Sequence, residues 1–99
     1  MTQGEQSIRA IAPDLYRYIV NELETIHIHP YDVQANGIKK ENGIQLICRF
    51  GEEYTHVKSE FFPFEAIGRL DKKLEDFINQ LGEECKQSMI ADYYKMLKM

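Results

Sequence analysis

An Asn-Gly pair at positions 42 and 43, set between two strand-like runs, narrows what this chain can become more than any other feature. A two-residue type I′ turn needs positive φ at both central positions, which Asn and Gly tolerate, so the pair predicts a β-hairpin. With Asn42 and Gly43 as the loop, Glu41 pairs with Ile44, and the register sets Ile38 opposite Ile47, Gly37 opposite Cys48 and Ala35 opposite Phe50. One face then carries Val33, Ala35, Gly37, Leu46, Cys48 and Phe50 and is expected to meet the core. The other carries Gln34, Asn36, Ile38, Lys40, Gln45, Ile47 and Arg49. Lys39 falls on the apolar side near the turn, where its stem lets the ammonium reach water.

Gly51, Glu52 and Glu53 read as a second turn and Tyr54 to Phe61 as a third strand. A loop at Glu52 and Glu53 places Thr55 opposite Phe50, Val57 opposite Cys48, Ser59 opposite Leu46 and Phe61 opposite Ile44, which extends the apolar face across three strands. The same register brings Arg49 opposite His56 and Ile47 opposite Lys58 on the polar face.

Helical signals flank this meander. Leu15, Ile19, Leu23 and Ile26, joined by Tyr16 and Val20, form an amphipathic stripe for a helix over residues 13–25, with Pro13 in its first turn and Asp14 at its positive end. Ile8 and Ile11 fit a short helical turn capped by Ser7 and interrupted at Pro13, while Met1 to Gln6 has no apolar period and reads as a mobile tail. His27 and His29 alternate with Ile26 and Ile28 in what fits a short strand or an extended connection before Pro30. Residues 65–98 carry Ile67, Leu70, Leu74, Phe77, Ile78, Leu81, Cys85 and Met89 at spacings of three and four, a helical pattern with a break or kink expected at Gly82. The expected fold is a single α+β domain over residues 1–99. It has two layers in the order α-β-β-β-α(-α), with a three-stranded antiparallel sheet (33–61) and helices packed on one face.

Ninety-nine residues with 43% hydrophobic content suffice for one core without disulfide or metal support. The net charge of −4 divides as −3 over residues 1–32, 0 over 33–64 and −1 over 65–99, so no segment has the basic excess that binding to a phosphate backbone requires. Nucleic acid is disfavoured as a partner. The same element order occurs in double-stranded RNA-binding domains, but here Arg69, Lys72 and Lys73 stand among Glu65 and Asp71 rather than in a lysine-rich helix start, and shared order alone does not establish function. Two cysteines without a C-x-x-C pair fit a reduced cytoplasmic setting, and neither a secretory leader nor a membrane-spanning apolar run is expected.

Catalytic signatures are not found: there is no Gly-x-Ser-x-Gly elbow, phosphate loop or dinucleotide fingerprint, so no enzyme and no cofactor are expected. His27 and His29 are weak metal candidates, because zinc needs a third and usually a fourth ligand and no recognised spacing supplies them. Lys40, Arg49, His56 and Lys58 form a locally basic patch on the polar sheet face that would suit an anionic ligand; a solvated face is the plainer reading. Met89, Tyr93, Tyr94, Met96 and Leu97 give the C-terminal segment more apolar surface than a small core covers, a composition common at protein contacts. The expected role is therefore that of a small non-catalytic intracellular interaction protein, with a homodimer as one form. Binding of an anionic ligand or nucleic acid through the polar sheet face is the alternative.

Overall fold

The computed structural model describes residues 4–97, with side chains described through residue 91. Its four strands are β1 (Gln6–Ser7), β2 (Val33–Lys39), β3 (Gly43–Phe50) and β4 (His56–Pro63), which form one antiparallel sheet in the order β1-β2-β3-β4. The helices α1 (Ile8–Ile11), α2 (Pro13–Thr25), α3 (Phe64–Arg69) and α4 (Lys72–Leu97) complete an α+β domain in which the helices pack against the sheet. The fourth strand corrects the expected three. Gln6 and Ser7 pair with Gly37 and Asn36, so the segment read as a mobile tail is held at least from Glu5 onward; Met1 to Gln3 lie outside the described residues.

The core collects Ile8 from α1, Leu15, Ile19 and Leu23 from α2, and Leu74, Phe77, Ile78, Leu81 and Cys85 from α4. They close over Val33, Ala35, Ile44, Leu46, Cys48, Phe50 and Phe62 of the sheet. Ser7 caps α1 by accepting from the Arg9 amide, and Pro13 starts α2, whose stripe is the one expected from its spacing.

The segment after α2 is not a strand. The Ile28 amide donates to the Leu23 carbonyl and the His27 amide to that of Glu24, the paired closure of a Schellman motif. His27 occupies the left-handed position at φ 65°, and Ile28 is buried behind Leu23. A residue usually glycine is here histidine, so His27→Gly is expected to raise stability by ~0.5–1 kcal/mol in a thermal melt.

The hairpin registers differ from expectation in two ways with different consequences. In the first hairpin the Lys40 amide donates to the Gly43 carbonyl, which leaves Glu41 and Asn42 as the turn; none of these four residues has positive φ, so the type I′ turn is not formed. Val33 pairs with Phe50 and Ala35 with Cys48, a shift of two positions that keeps every side chain on its expected face. In the second hairpin Phe50 pairs with His56, across an odd-length connection at 51–55 that contains a 3₁₀ turn, Glu52–Tyr54. That shift of one inverts β4: Phe62 rather than Phe61 lies opposite Ile44, and Lys58 rather than Val57 opposite Cys48.

Gly82 does not interrupt α4, which runs unbroken from Lys72. The break falls earlier, at Leu70, held at φ 50° where the Leu70 and Asp71 amides close α3. Gly82 is buried in the helix because Ile26 presses against it, leaving no room for a side chain.

Candidate interaction surface

A two-layer domain leaves one sheet face without helices. Three rows of side chains cross it, each fixed by cross-strand register. Gln34, Arg49 and Val57 form one, Asn36, Ile47 and Ser59 the middle one, and Ile38, Gln45 and Phe61 the third. An antiparallel sheet facing water normally alternates apolar inward and polar outward. β2 and β3 follow that rule in part; β4 breaks it at His56, Val57, Lys58, Glu60 and Phe61 and keeps it at Ser59 and Phe62. On β4, His56, Lys58 and Glu60 share the helix-side face, while Val57 and Phe61 point outward with Ile38 and Ile47. Val57 is 56% exposed, and the Phe61 ring lies across Gly43.

The inward polar residues of β4 are accommodated at the edge of the helical layer. Lys58 lays its side chain over the Phe77 ring, 5.5 Å from its centre, and carries its ammonium to within 2.9 Å of the Glu84 carboxylate on α4. His56 stacks on Phe50 at 5.5 Å between centroids. Both therefore remain at the rim, facing α4.

The four basic-patch residues consequently do not converge. Arg49 stands on the open face, His56 and Lys58 on the helix side, and Lys40 at the first turn. Arg49 and Lys58 already have carboxylate partners. Lys58 is held by Glu84, and Arg49 by both carboxylate oxygens of Glu5, one of them 2.8 Å from Nη2. Glu5 also accepts from the Asn36 amide, so Arg49 and Asn36 together hold its carboxyl below the usual range, and Glu5 in turn pushes the Arg49 guanidinium up.

The other sequence candidates have local roles. His29 Nδ1 accepts from the Tyr31 amide and its own amide donates to Asp32, a capping box that starts the 3₁₀ turn Pro30–Asp32; His27 closes α2 as described. Among the described residues no group of three His, Cys, Asp or Glu side chains is placed to hold a metal ion. Cys48 and Cys85 are fully buried and unpaired. Burial pushes the Cys48 thiol up to about 12 and raises that of Cys85, with the Asp32 carboxylate adding to the latter. At pH 8 both are protonated, so a chromogenic disulfide reagent is expected to label neither until urea unfolds the chain; prompt labelling of the native protein would refute the burial.

α4 has 26 residues, about 39 Å at the helical rise, against roughly 26 Å for the longest strands of eight. Its last buried residue is Cys85 among those described, and Met89 and Ile90 are 37% and 55% exposed. The helix backbone continues to Leu97, while the side chains of Tyr93, Tyr94, Met96 and Leu97 lie outside the described residues. No described helix is long and apolar enough to cross a membrane.

Val57 and Phe61 are the surface residues that sequence reasoning placed wrongly. Their own period gave no warning, because alternation with His56, Lys58 and Glu60 argues for pointing them inward. Comparison with protein-family models, curated proteins and solved structures finds no match for this chain.

Proposed function

We propose that the protein is a non-catalytic interaction module that docks another protein chain on its open sheet face. The observation that supports this reading is the inversion of β4. A strand that turned Val57 and Phe61 to water while setting His56, Lys58 and Glu60 toward the helices would lose hydrophobic burial on both faces, unless a partner covers the outer one. The two buried, unpaired thiols fit a reduced cytoplasmic setting. Anion binding is the weaker reading, because the carboxylates of Glu5 and Glu84 already satisfy Arg49 and Lys58. The exposed end of α4 is a second apolar surface, and Met89 separates it from the sheet face experimentally.

Affinity capture from the native cell with wild-type bait and with an Ile47→Asp/Phe61→Asp bait tests the assignment. Both side chains are outward and half-buried, so the variant is expected to stay folded with a lowered melting temperature while losing the retained proteins. Identical captures by the two baits would refute it.

A further inference from the structure

We propose that the occupant of the open face is a second copy of this chain, packed sheet to sheet about a two-fold axis that lies between the sheets and runs across the strands at Ile47. The proposal rests on the interaction reading above and names its partner. Charge selects the occupant. The chain carries −4, so two copies repel wherever their acidic surfaces meet. Within the three rows that cross the open face the one charged side chain is Arg49, which Glu5 neutralises within the same chain, while Lys40 lies outside the rows at the first turn. A second copy can therefore cover this face without burying net charge.

The register selects the axis. An isologous contact sets each row against a row of the same surface. An axis running along β3 would stack Arg49 on its own copy. An axis across the strands at Ile47 exchanges the outer rows: Ile47 meets Ile47, Phe61 meets Val57 of the second copy and Val57 its Phe61, and Arg49 lies over Gln45. Three apolar pairs then line the contact, and no like charges face each other.

Three long strands of seven or eight residues make a flat sheet face on the order of 400 Å². That is below the roughly 800 Å² per partner of a standard interface, which sets the expectation of a reversible dimer with a dissociation constant in the micromolar range.

Sedimentation of the purified full chain from 1 to several hundred micromolar tests the proposal, with each variant's melt as the folding control. Wild type is expected to shift from monomer to dimer over that span. Ile47→Asp and Phe61→Asp are each expected to raise the dissociation constant about tenfold or more, and Met89→Asp to leave it unchanged. A short bis-maleimide, matched to the ~10 Å between stacked sheets, is expected to link Val57→Cys to Phe61→Cys in a mixture far better than either variant to itself. A dimer weakened only by Met89→Asp, or self-linking of Val57→Cys that exceeds the mixed product, overturns the proposed packing. A wild-type chain that stays monomeric throughout overturns the second copy as occupant. The interaction reading would survive that result if the Ile47→Asp/Phe61→Asp bait still loses proteins that wild type captures.

Discussion

Replacing Phe62 by Ala is expected to lower the unfolding free energy by about 3–5 kcal/mol, whereas the same change at Phe61 costs about 1 kcal/mol. The two residues are chemically identical neighbours, and the register alone separates them. Phe62 is 1% exposed, lies opposite Ile44 and meets the Phe77 ring edge-on at 5.5 Å between centroids and 82° between planes. Truncating it removes the apolar burial and leaves a cavity between β4 and α4 that their backbones cannot close. Phe61 is half-buried, with its ring over Gly43 on the side away from the helices. For a domain of this size the larger loss corresponds to a fall in melting temperature of more than about 12 °C. Thermal or urea melts of the two variants measure the difference; equal losses, or a greater loss at Phe61, would mean that β4 faces the other way.

The second large effect is expected at Gly43, where Ala should destabilise by roughly 2–3 kcal/mol through overpacking. A methyl group there would collide with the Phe62 carbonyl oxygen and stand 2.6 Å from Phe61 Cζ and 2.8 Å from Pro63 Cα. Two of these three atoms are backbone, so β3 and β4 must separate where their pairing begins. Against this, Gly→Ala reduces unfolded-chain entropy, a gain of about 0.4–1 kcal/mol that the collision exceeds. Gly68 in α3 supplies the control, because nothing lies within 4 Å of its absent side chain. There the same substitution is expected to stabilise by about 0.5–1 kcal/mol. Opposite signs at the two glycines are the result to look for in chemical denaturation. A neutral Gly43→Ala would mean that the strands are looser at this point than the register implies.

Gly43 also shows how a correct hairpin can be inferred from a wrong cause. The Asn42-Gly43 pair marks the hairpin, but its glycine serves the close approach of β4 and not a left-handed turn. The faces of β2 and β3 were legible because the actual register differs by an even number of positions, which leaves the pleat in phase. β4 was not legible. Its phase depends on whether the connection from Phe50 holds an odd or even number of residues, and Glu52–Tyr54 folds into a 3₁₀ turn with Glu53 and Tyr54 both at φ 56°. Neither residue advertises that conformation in sequence. The long-range contact that anchors it, Tyr54 Oη donating to the Tyr31 carbonyl at 2.6 Å, becomes known only once the chain is folded.

The candidate surface was half-legible for the same reason. Ile38, Ile47 and Arg49 stand on the face their period indicated, whereas Val57 and Phe61 join them only through the inverted strand. The stripe of α2 was legible because a 3.6-residue period survives any choice of loop. The break at Leu70 was not, since leucine in a left-handed position carries no sequence mark, and Gly82 drew attention that belongs to the pressure of Ile26.

Surface connections usually tolerate insertions and deletions better than the elements they join. Segment 51–55 is an exception, because its length acts as a parity bit for the molecule. Losing one residue there would trade the outward set Val57 and Phe61 for Lys58 and Phe62, exchanging a sticky face for a charged one and emptying the site beneath Phe77 in a single event. Lineages that carry this fold should therefore hold the count of this loop, along with Gly51 at its positive φ and Tyr54 at its bond to Tyr31, and any relative that alters the count should alter it by two.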